Sequence, residues 1–159
     1  MNRSTEYELV LSRIESLLSS PCDWTAAMAT VVAELHAAFE HYHWTGFYRK
    51  VRPGHLQVGP YQGGHGCIDI SFDRGVCGAA ARLNRTQLVR DVHDFPGHIA
   101  CSESTRSEIV VPLSASDGMV FAVLDVDSDQ VDAFDEIDKR FLEDLAAQSE
   151  RSTPGSSRN

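Results

Sequence analysis

The clearest pattern in the chain is a pair of strand-like runs in its C-terminal third. Residues 108–113 and 119–127 are mostly β-branched or aliphatic, and Ser116, Asp117 and Gly118 separate them. Two such runs joined by a short turn that contains glycine predict an antiparallel hairpin. Because these runs are largely apolar, we expect the hairpin to lie inside a larger sheet that other elements cover.

Shorter strand-like segments precede this hairpin. Residues 44–50 and 56–59 predict a second hairpin that turns at Gly54. Residues 67–72 alternate in polarity, which predicts a strand with Ile68 on its apolar face and Cys67 on the other. The central part of the chain is therefore predicted to be mostly antiparallel sheet.

This run of strands is interrupted twice. Gly75 is expected to begin a short helix that continues to Leu83, and a brief strand is predicted at 86–89. Residues 91–106 then form a sixteen-residue loop rich in His, Pro, Gly and Ser. A loop of that length inside a compact domain is usually functional or disordered, and this one contains a cysteine, so we interpret it as functional.

Both ends of the chain show helical spacing of apolar residues. Thr5 and Glu8 predict a capping box for a first helix, and Asp23 is the predicted N-cap of a second. A final helix is expected after Phe134. This order of elements predicts an α+β architecture, with a central, mostly antiparallel sheet and the N- and C-terminal helices packed on one face.

Length and composition indicate one soluble globular domain. We expect it to span residues 1–150, followed by a polar, disordered tail at 151–159. The formal net charge of -9 argues against a nucleic-acid partner or an anionic membrane, since both require a basic face. The chain has no apolar run of membrane-spanning length and no apolar segment near its start that would indicate a secretory signal, so we expect a cytoplasmic protein.

Three of the four cysteines lie in the middle of the chain. Cys67, Cys77 and Cys101 are separated by ten and then twenty-four residues, which matches neither a CxxC redox pair nor a compact zinc site. Free cysteines are most often small buried hydrophobic residues. The alternative is a nucleophilic thiol with resolving partners, which would return to the thiol form through a disulfide. Cys22, in the connection between the first two helices, is interpreted as uninvolved.

The sequence around these three cysteines favours the second alternative. The strings GPYQG, RGVCG, DVHDFPGHIAC, SEIVVPL and VLDVDS occur in this order. Together they resemble the free methionine-R-sulfoxide reductases, which are single-domain GAF enzymes that reduce the free amino acid methionine sulfoxide. The resemblance is dense over residues 44–127. It implies a GAF-like fold, no bound cofactor, electrons from thioredoxin or a similar dithiol, and a homodimer.

The resemblance also assigns roles to the cysteines. It implies that Cys101 is the nucleophile, that Cys67 resolves it, and that Cys77 is an auxiliary partner. Sulfoxide reduction needs a thiolate at sulfur and an acid that protonates the departing oxygen. The resulting sulfenic acid condenses with a second thiol to form a disulfide. Such closure requires Cα atoms within about 7 Å.

Three carboxylates complete the predicted pocket. Glu108 begins one strand, while Asp125 and Asp127 end another and, being two residues apart, share a face. Acids at strand ends are commonly solvated, but these follow the apolar run VFAVL and are expected to be enclosed. Clustered carboxylates raise one another's pKa, so one can remain protonated as the acid. The others can pair with the ammonium group of a free amino acid.

Two aromatic residues are candidates for the pocket wall. Trp44 and Tyr48 are four residues apart on a predicted strand and so share a face. The family has matching aromatics around the S-methyl group of its substrate, where sulfur–aromatic contacts are favourable. Without the resemblance, both would be interpreted as core residues.

The histidines suggest a metal site, but their spacing argues against one. His93, His98 and Cys101 are separated by five and three residues, which fits no standard zinc pattern, so no metal is predicted. Negative carboxylates also raise the pKa of a nearby thiol and would make Cys101 less reactive. Arg106, His98 or His93 are the candidates that could offset this effect.

Two other functions are consistent with a GAF-like fold. One is a module that binds a small molecule and regulates a partner. The other is a redox sensor, which would form a disulfide with peroxide but would not turn over methionine sulfoxide.

Overall fold

A computed structural model describes residues 1–151, which form a six-stranded sheet and four α-helices. The strands are β1 (Trp44–Arg52), β2 (His55–Gln62), β3 (Asp69–Ser71), β4 (Gln87–Val89), β5 (Ser107–Ser114) and β6 (Val120–Ser128). The helices are α1 (Arg3–Leu17), α2 (Trp24–Ala38), α3 (Gly75–Leu83) and α4 (Glu136–Arg151), with a short 3₁₀ turn at Val92–Asp94. Apart from Arg151, which ends α4, the predicted tail lies outside the described residues.

The sheet has the strand order β3-β2-β1-β6-β5-β4, and each neighbouring pair is antiparallel. The hairpins predicted from the sequence are β1–β2 and β5–β6. Their observed strands extend one to three residues beyond the predicted bounds, except that β6 begins at Val120, one residue later than predicted. The predicted α+β fold with a mostly antiparallel sheet is therefore confirmed.

The two faces of the sheet bury different residues because side chains alternate along each strand. One face carries Ile109, Val111, Leu124 and Val126, which pack in one core with apolar residues of α1, α2 and α4. The terminal helices thus share one face, as predicted. The opposite face holds a second core with α3 and is where the candidate site lies. Among residues 1–151, no helix is both long and apolar enough to cross a membrane.

The capping prediction was right for α2 and wrong for α1. Asp23 accepts a hydrogen bond from the backbone N–H of Ala26 at 2.8 Å, as expected of an N-cap. The N-cap of α1 is Asn2, whose side chain accepts from the N–H of Thr5 at 2.9 Å. The predicted capping box placed the helix start too late, since Thr5 already lies in the first turn.

The strand predicted at 67–72 is shorter than expected. Only Asp69–Ser71 pairs with β2, and Ile68 is 67% exposed while Ile70 is buried. The two isoleucines were predicted to share a face. The carbonyl of Ile68 still accepts a hydrogen bond from the N–H of Val58 on β2, but Cys67 lies outside the paired strand because it forms a disulfide with Cys101.

Helix α3 packs directly on the backbone that follows β3. A Cβ atom at Gly78 would lie 2.5 Å from the carbonyl oxygen of Ser71 and 2.9 Å from that of Phe72. Only glycine permits this approach, which explains the second glycine of the RGVCG string. The close packing holds Cys77, one residue earlier on α3, in the second core.

A buried polar cluster lies on the other side of the molecule, among the terminal helices. Asp138 of α4 is fully buried and accepts hydrogen bonds from the Arg3 guanidinium at 2.7 Å and the Tyr7 hydroxyl at 2.8 Å. It also accepts from the N–H of Asp135 at 2.8 Å. Tyr42 bonds the Tyr7 hydroxyl in turn. Each oxygen of Asp138 therefore has a donor.

Candidate active site

A pocket opens on the sheet face opposite the terminal helices. Its floor comes from β1, β5 and β6, one wall comes from α3, and two loops close over it. All eight of the predicted site residues line it or bond to a residue that does. The lining residues are Trp44, Tyr48, His65, Gly66, Ile70, Gly75, Val76, Cys77, His98, Ile99, Cys101, Ser102, Thr105, Glu108, Asp125 and Asp127.

Cys101 lies at this pocket and is joined by a disulfide to Cys67. Their Cα atoms are 5.2 Å apart although 34 residues separate them in the sequence. Both cysteines are half-buried, so neither is sealed in the core. The two residues with the predicted roles of nucleophile and resolving thiol are thus in bonding contact beside the predicted carboxylates.

Strand register brings the three carboxylates together. Glu108 on β5 lies directly opposite Asp127 on β6, and Asp125 lies opposite Gly46 on β1. Side chains that face each other in an antiparallel pair have Cβ atoms about 5 Å apart. Asp125 and Asp127 are on the same face, as alternation predicts. The pocket therefore has an acidic floor.

Burial changes the protonation of these carboxylates. Glu108 and Asp125 are 6% and 5% exposed. Burial, followed by the charges of Asp125 and Asp127, raises the pKa of Glu108 well above its ordinary value. Burial raises the pKa of Asp125 to about 7, against hydrogen bonds from Cys77 and Glu108 that lower it. Burial and the Asp125 charge likewise raise the pKa of Asp127. At neutral pH the cluster therefore retains protons.

The cluster forms a hydrogen-bonded chain that needs at least one of those protons. The Cys77 thiol donates to Oδ2 of Asp125 at 3.3 Å. Glu108 and Asp125 are also hydrogen-bonded to each other, which requires a proton on one of them because two carboxylates have no donor between them. Oδ1 of Asp125 is buried and, with both carboxyls ionised, has no partner among the described residues. That oxygen is open to a proton from Glu108 or to a cationic ligand group.

The same three side chains could in principle hold a metal ion. Each of Cys77, Glu108 and Asp125 offers one ligand atom, and these three atoms lie within 4.8 Å of one another. Their contacts, however, are those of the hydrogen-bonded chain, and protons account for them without an ion. The spacing alone does not favour a metal site.

The predicted aromatic residues form a stacked wall. The rings of Trp44 and Tyr48 are 5.7 Å apart at their centroids and both line the pocket. Trp44 lies over Gly46, where a Cβ atom would come within 2.4 Å of the indole. The indole N–H donates to the carbonyl of Gly64 at 3.1 Å, which fixes the loop leading to Cys67.

Comparison with known proteins agrees with this arrangement. The GAF domain family matches residues 13–151. The free methionine-R-sulfoxide reductase of Saccharomyces cerevisiae is 38% identical, over 92% of this chain and 84% of that protein. The enzyme of the same name from Escherichia coli is 36% identical, over 95% of this chain and 90% of that protein. The chain belongs to the free methionine-R-sulfoxide reductases of the GAF domain family.

A solved structure supports this family at the level of the fold. The free methionine-R-sulfoxide reductase from Neisseria meningitidis, described as a complex with its substrate, is 43% identical and superposes with a TM-score of 0.91. The match covers 96% of this chain and 90% of that one. The resemblance inferred from the cysteine strings is confirmed, and so is the assignment of the chain to an oxidoreductase family.

The cations proposed to assist the nucleophile are mostly elsewhere. Of Arg106, His98 and His93, only His98 lines the pocket. Burial lowers the pKa of His98, so it carries little charge at neutral pH. The His93 ring is exposed and bonds the Asp91 carboxylate at 2.8 Å. Arg106 and His93 therefore lie outside the pocket lining, and His98 brings little positive charge to it.

Sequence reasoning missed three contacts that shape the site. Thr105 is 5% exposed and its side chain hydrogen-bonds Asp127. His43 Nε2 lies 2.8 Å from the hydroxyl of Ser104 and so ties the Cys101 loop to the start of β1. No motif marks either contact, because both join segments far apart in sequence. The Cys77–Asp125 hydrogen bond was also not anticipated.

Proposed function

We propose that the protein reduces free L-methionine (R)-sulfoxide to methionine and is regenerated by thioredoxin or a similar dithiol. The observation that carries the proposal is Cys101, which lies on a loop beside a cluster of buried carboxylates and already shares a disulfide with Cys67. Membership in the reductase family supplies the substrate class.

In the first step, the Cys101 thiol loses its proton to solvent and the thiolate attacks the sulfur of the sulfoxide. Glu108 gives its proton to the sulfoxide oxygen, which transfers to the cysteine as a sulfenic acid. Glu108 regains a proton from solvent after the step. Two electrons pass from the cysteine sulfur to the substrate sulfur, and methionine leaves. Protonation of the oxygen favours this attack, because a protonated sulfoxide is a stronger electrophile.

In the second step, the Cys67 thiol attacks the sulfur of the sulfenic acid. Water leaves and the Cys67–Cys101 disulfide forms. A dithiol donor then reduces this disulfide and is itself oxidised to a disulfide. The net reaction converts one sulfoxide and two thiols to methionine, one disulfide and water. No bound cofactor takes part in this scheme.

The remaining carboxylates account for selection of the free amino acid. Asp125 has a buried oxygen that has no partner when both it and Glu108 are ionised, and Asp127 lies beside it on the same face. An ammonium group would supply the missing donor and charge. The nitrogen of a methionine within a peptide is an uncharged amide and would not. Trp44 and Tyr48 would enclose the S-methyl group.

The decisive experiment supplies each epimer of free methionine sulfoxide with dithiothreitol or thioredoxin and measures the methionine released. We expect turnover of the free R epimer and little of an N-acetylated substrate. A binding module would release no methionine from any of them. A redox sensor would form the disulfide with peroxide without turnover.

The Cys101→Ser variant should lose activity by about a thousandfold or more, since the nucleophile is removed. Cys22→Ser is the matched control, because Cys22 is exposed and free. Turnover by Cys101→Ser close to that of the control would refute the proposed nucleophile. The homodimer that the resemblance implies and the cytoplasmic location expected from the sequence are also proposals, and sedimentation analysis tests the first.

A further inference from the structure

Cys77 differs from the two cysteines of the disulfide. It is 3% exposed and lies within α3, whereas Cys67 and Cys101 are half-buried on loops. Its thiol is free and is directed at Asp125, with Sγ 3.3 Å from Oδ2. Because the Cys77 thiol contacts a carboxylate and not another sulfur atom, it is placed to donate a hydrogen bond to that carboxylate.

The groups around Asp125 come from every element packed on it. Cys77 faces it from α3, Glu108 from β5 and Tyr48 from β1, while Asp127 is its neighbour on β6. His98 lies on the loop that lines the same pocket. Among the residues that the structure describes, the hydrogen-bond partners of Asp125 are Cys77 and Glu108 and neither is a cation, so neutral donors stabilise its ionised form.

We propose that Cys77 is a positioning residue that keeps its proton and donates it in a hydrogen bond to Asp125, so that this carboxylate is held ionised and oriented for the ammonium group of the substrate. Cys77 then carries no electrons in the catalytic cycle. This inference rests on the proposed function and explains one of its residues.

Two physical arguments support this role. Burial, and next the negative charge of Asp125, raise the pKa of the Cys77 thiol well above its ordinary value. A thiol that remains protonated is neither a nucleophile nor a resolving thiolate, because the thiolate is the reactive form. Conversely, a buried carboxylate oxygen that lost its donor would bear a desolvation penalty. Protonation of Asp125 would remove that penalty, along with the charge that the substrate needs.

The test compares Cys77→Ala, which removes the donor, with Cys77→Ser, which keeps one. The hydrogen bond lowers the pKa of Asp125, so loss of the donor raises that pKa. The substrate ammonium needs the ionised form, and the acid limb of kcat/KM should therefore move to higher pH in Cys77→Ala. At pH 7 we expect kcat/KM to fall about fivefold, and the serine variant to stay close to wild type.

A second measurement does not depend on activity. Carbon-13 NMR of the side-chain carboxyls should show the Asp125 midpoint shifted upward in Cys77→Ala and nearly unchanged in Cys77→Ser and in the Cys22→Ser control. The thiols oxidised per methionine released in a single turnover should stay at two in all of them. Thermal unfolding verifies that each variant is folded.

Failure of this inference and failure of the proposed function would give different results. Equal losses in the alanine and serine variants, with an unmoved Asp125 midpoint, would show that Cys77 acts as a thiol in electron transfer and would overturn the inference. If wild type released no methionine, the proposed function would fail, while the NMR titration would still decide whether Cys77 donates to Asp125.

Discussion

The molecule buries two acidic side chains in opposite ways, one on each side of the sheet. Asp138, among the terminal helices, is fully buried and receives the Arg3 guanidinium, the Tyr7 hydroxyl and a backbone N–H. A cation and neutral donors together satisfy its charge. The arrangement is that of a structural ion pair, which joins the first helix to the last.

Asp125, in the pocket, is almost as buried, but no cation is among its partners in the described part of the chain. Its donors are the Cys77 thiol and a protonated Glu108, and one of its oxygens has no partner when both carboxyls are ionised. Burying a charge without a counterion is costly. A folded protein can keep such a site when a ligand supplies the missing charge, and the ammonium group of an amino acid would do so here.

Among the changes that test this comparison, loss of the proposed general acid, Glu108, should have the largest effect. Glu108→Gln keeps the shape of the side chain but cannot deliver a proton to the sulfoxide oxygen. We expect kcat to fall by about a hundredfold to ten-thousandfold, the range for loss of a general acid. Thermal unfolding should show an intact fold. A decrease of less than tenfold would assign the proton to another group.

The same change at the structural acid should act on stability instead. Asp138→Asn keeps the size of the side chain but removes the charge that pairs with Arg3 and Tyr7. We expect the free energy of unfolding in urea to fall by about 2–3 kcal/mol, as for a lost hydrogen bond to a charged group. Because this cluster is across the sheet from the pocket, the kcat of the folded fraction should stay within about twofold.

An Asp138→Asn variant that lost kcat without losing stability would contradict the distinction between the two acids. It would show that the helix-face cluster is coupled to the pocket through the sheet. Tyr7→Phe, which removes one donor and leaves Arg3 in place, provides the graded control.

The sequence predicts the pocket acid better than the structural acid. Alternation placed Asp125 and Asp127 on one face, and the apolar run before them indicated enclosure, because both signals are local. Asp138 gives no such signal, since it stands among polar residues of α4. Its burial depends on Arg3 and Tyr7, more than 130 residues away, and no local pattern encodes that contact.

Within the site, the limit of prediction is also set by distance along the chain. The Cys67–Cys101 pairing was implied by the family resemblance, and not by the spacing of the cysteines. That Glu108 lies opposite Asp127 depends on the β5–β6 register, which an irregularity near Leu113 and Ser114 adjusts. The shortened strand at Asp69–Ser71 was mispredicted for a related reason, because a tertiary crosslink holds Cys67 outside the paired strand.

The smallest expected effect is a gain of stability in Asp125→Asn. The pH dependence of this gain tests whether the Asp125 carboxylate destabilises the folded protein. The folded pKa of Asp125 is raised to about 7. The folded state therefore holds more protons than the unfolded state between about pH 4 and 7, so stability declines as the pH rises through that window. Asp125→Asn removes this decline while retaining an oxygen that accepts from Cys77. Urea denaturation at pH 8 should show the variant about 1–3 kcal/mol more stable than wild type, with the difference vanishing near pH 4. A variant less stable than wild type at pH 8 would mean that the ionised carboxylate is well satisfied, and the site would then have no unmet charge to attract an ammonium group.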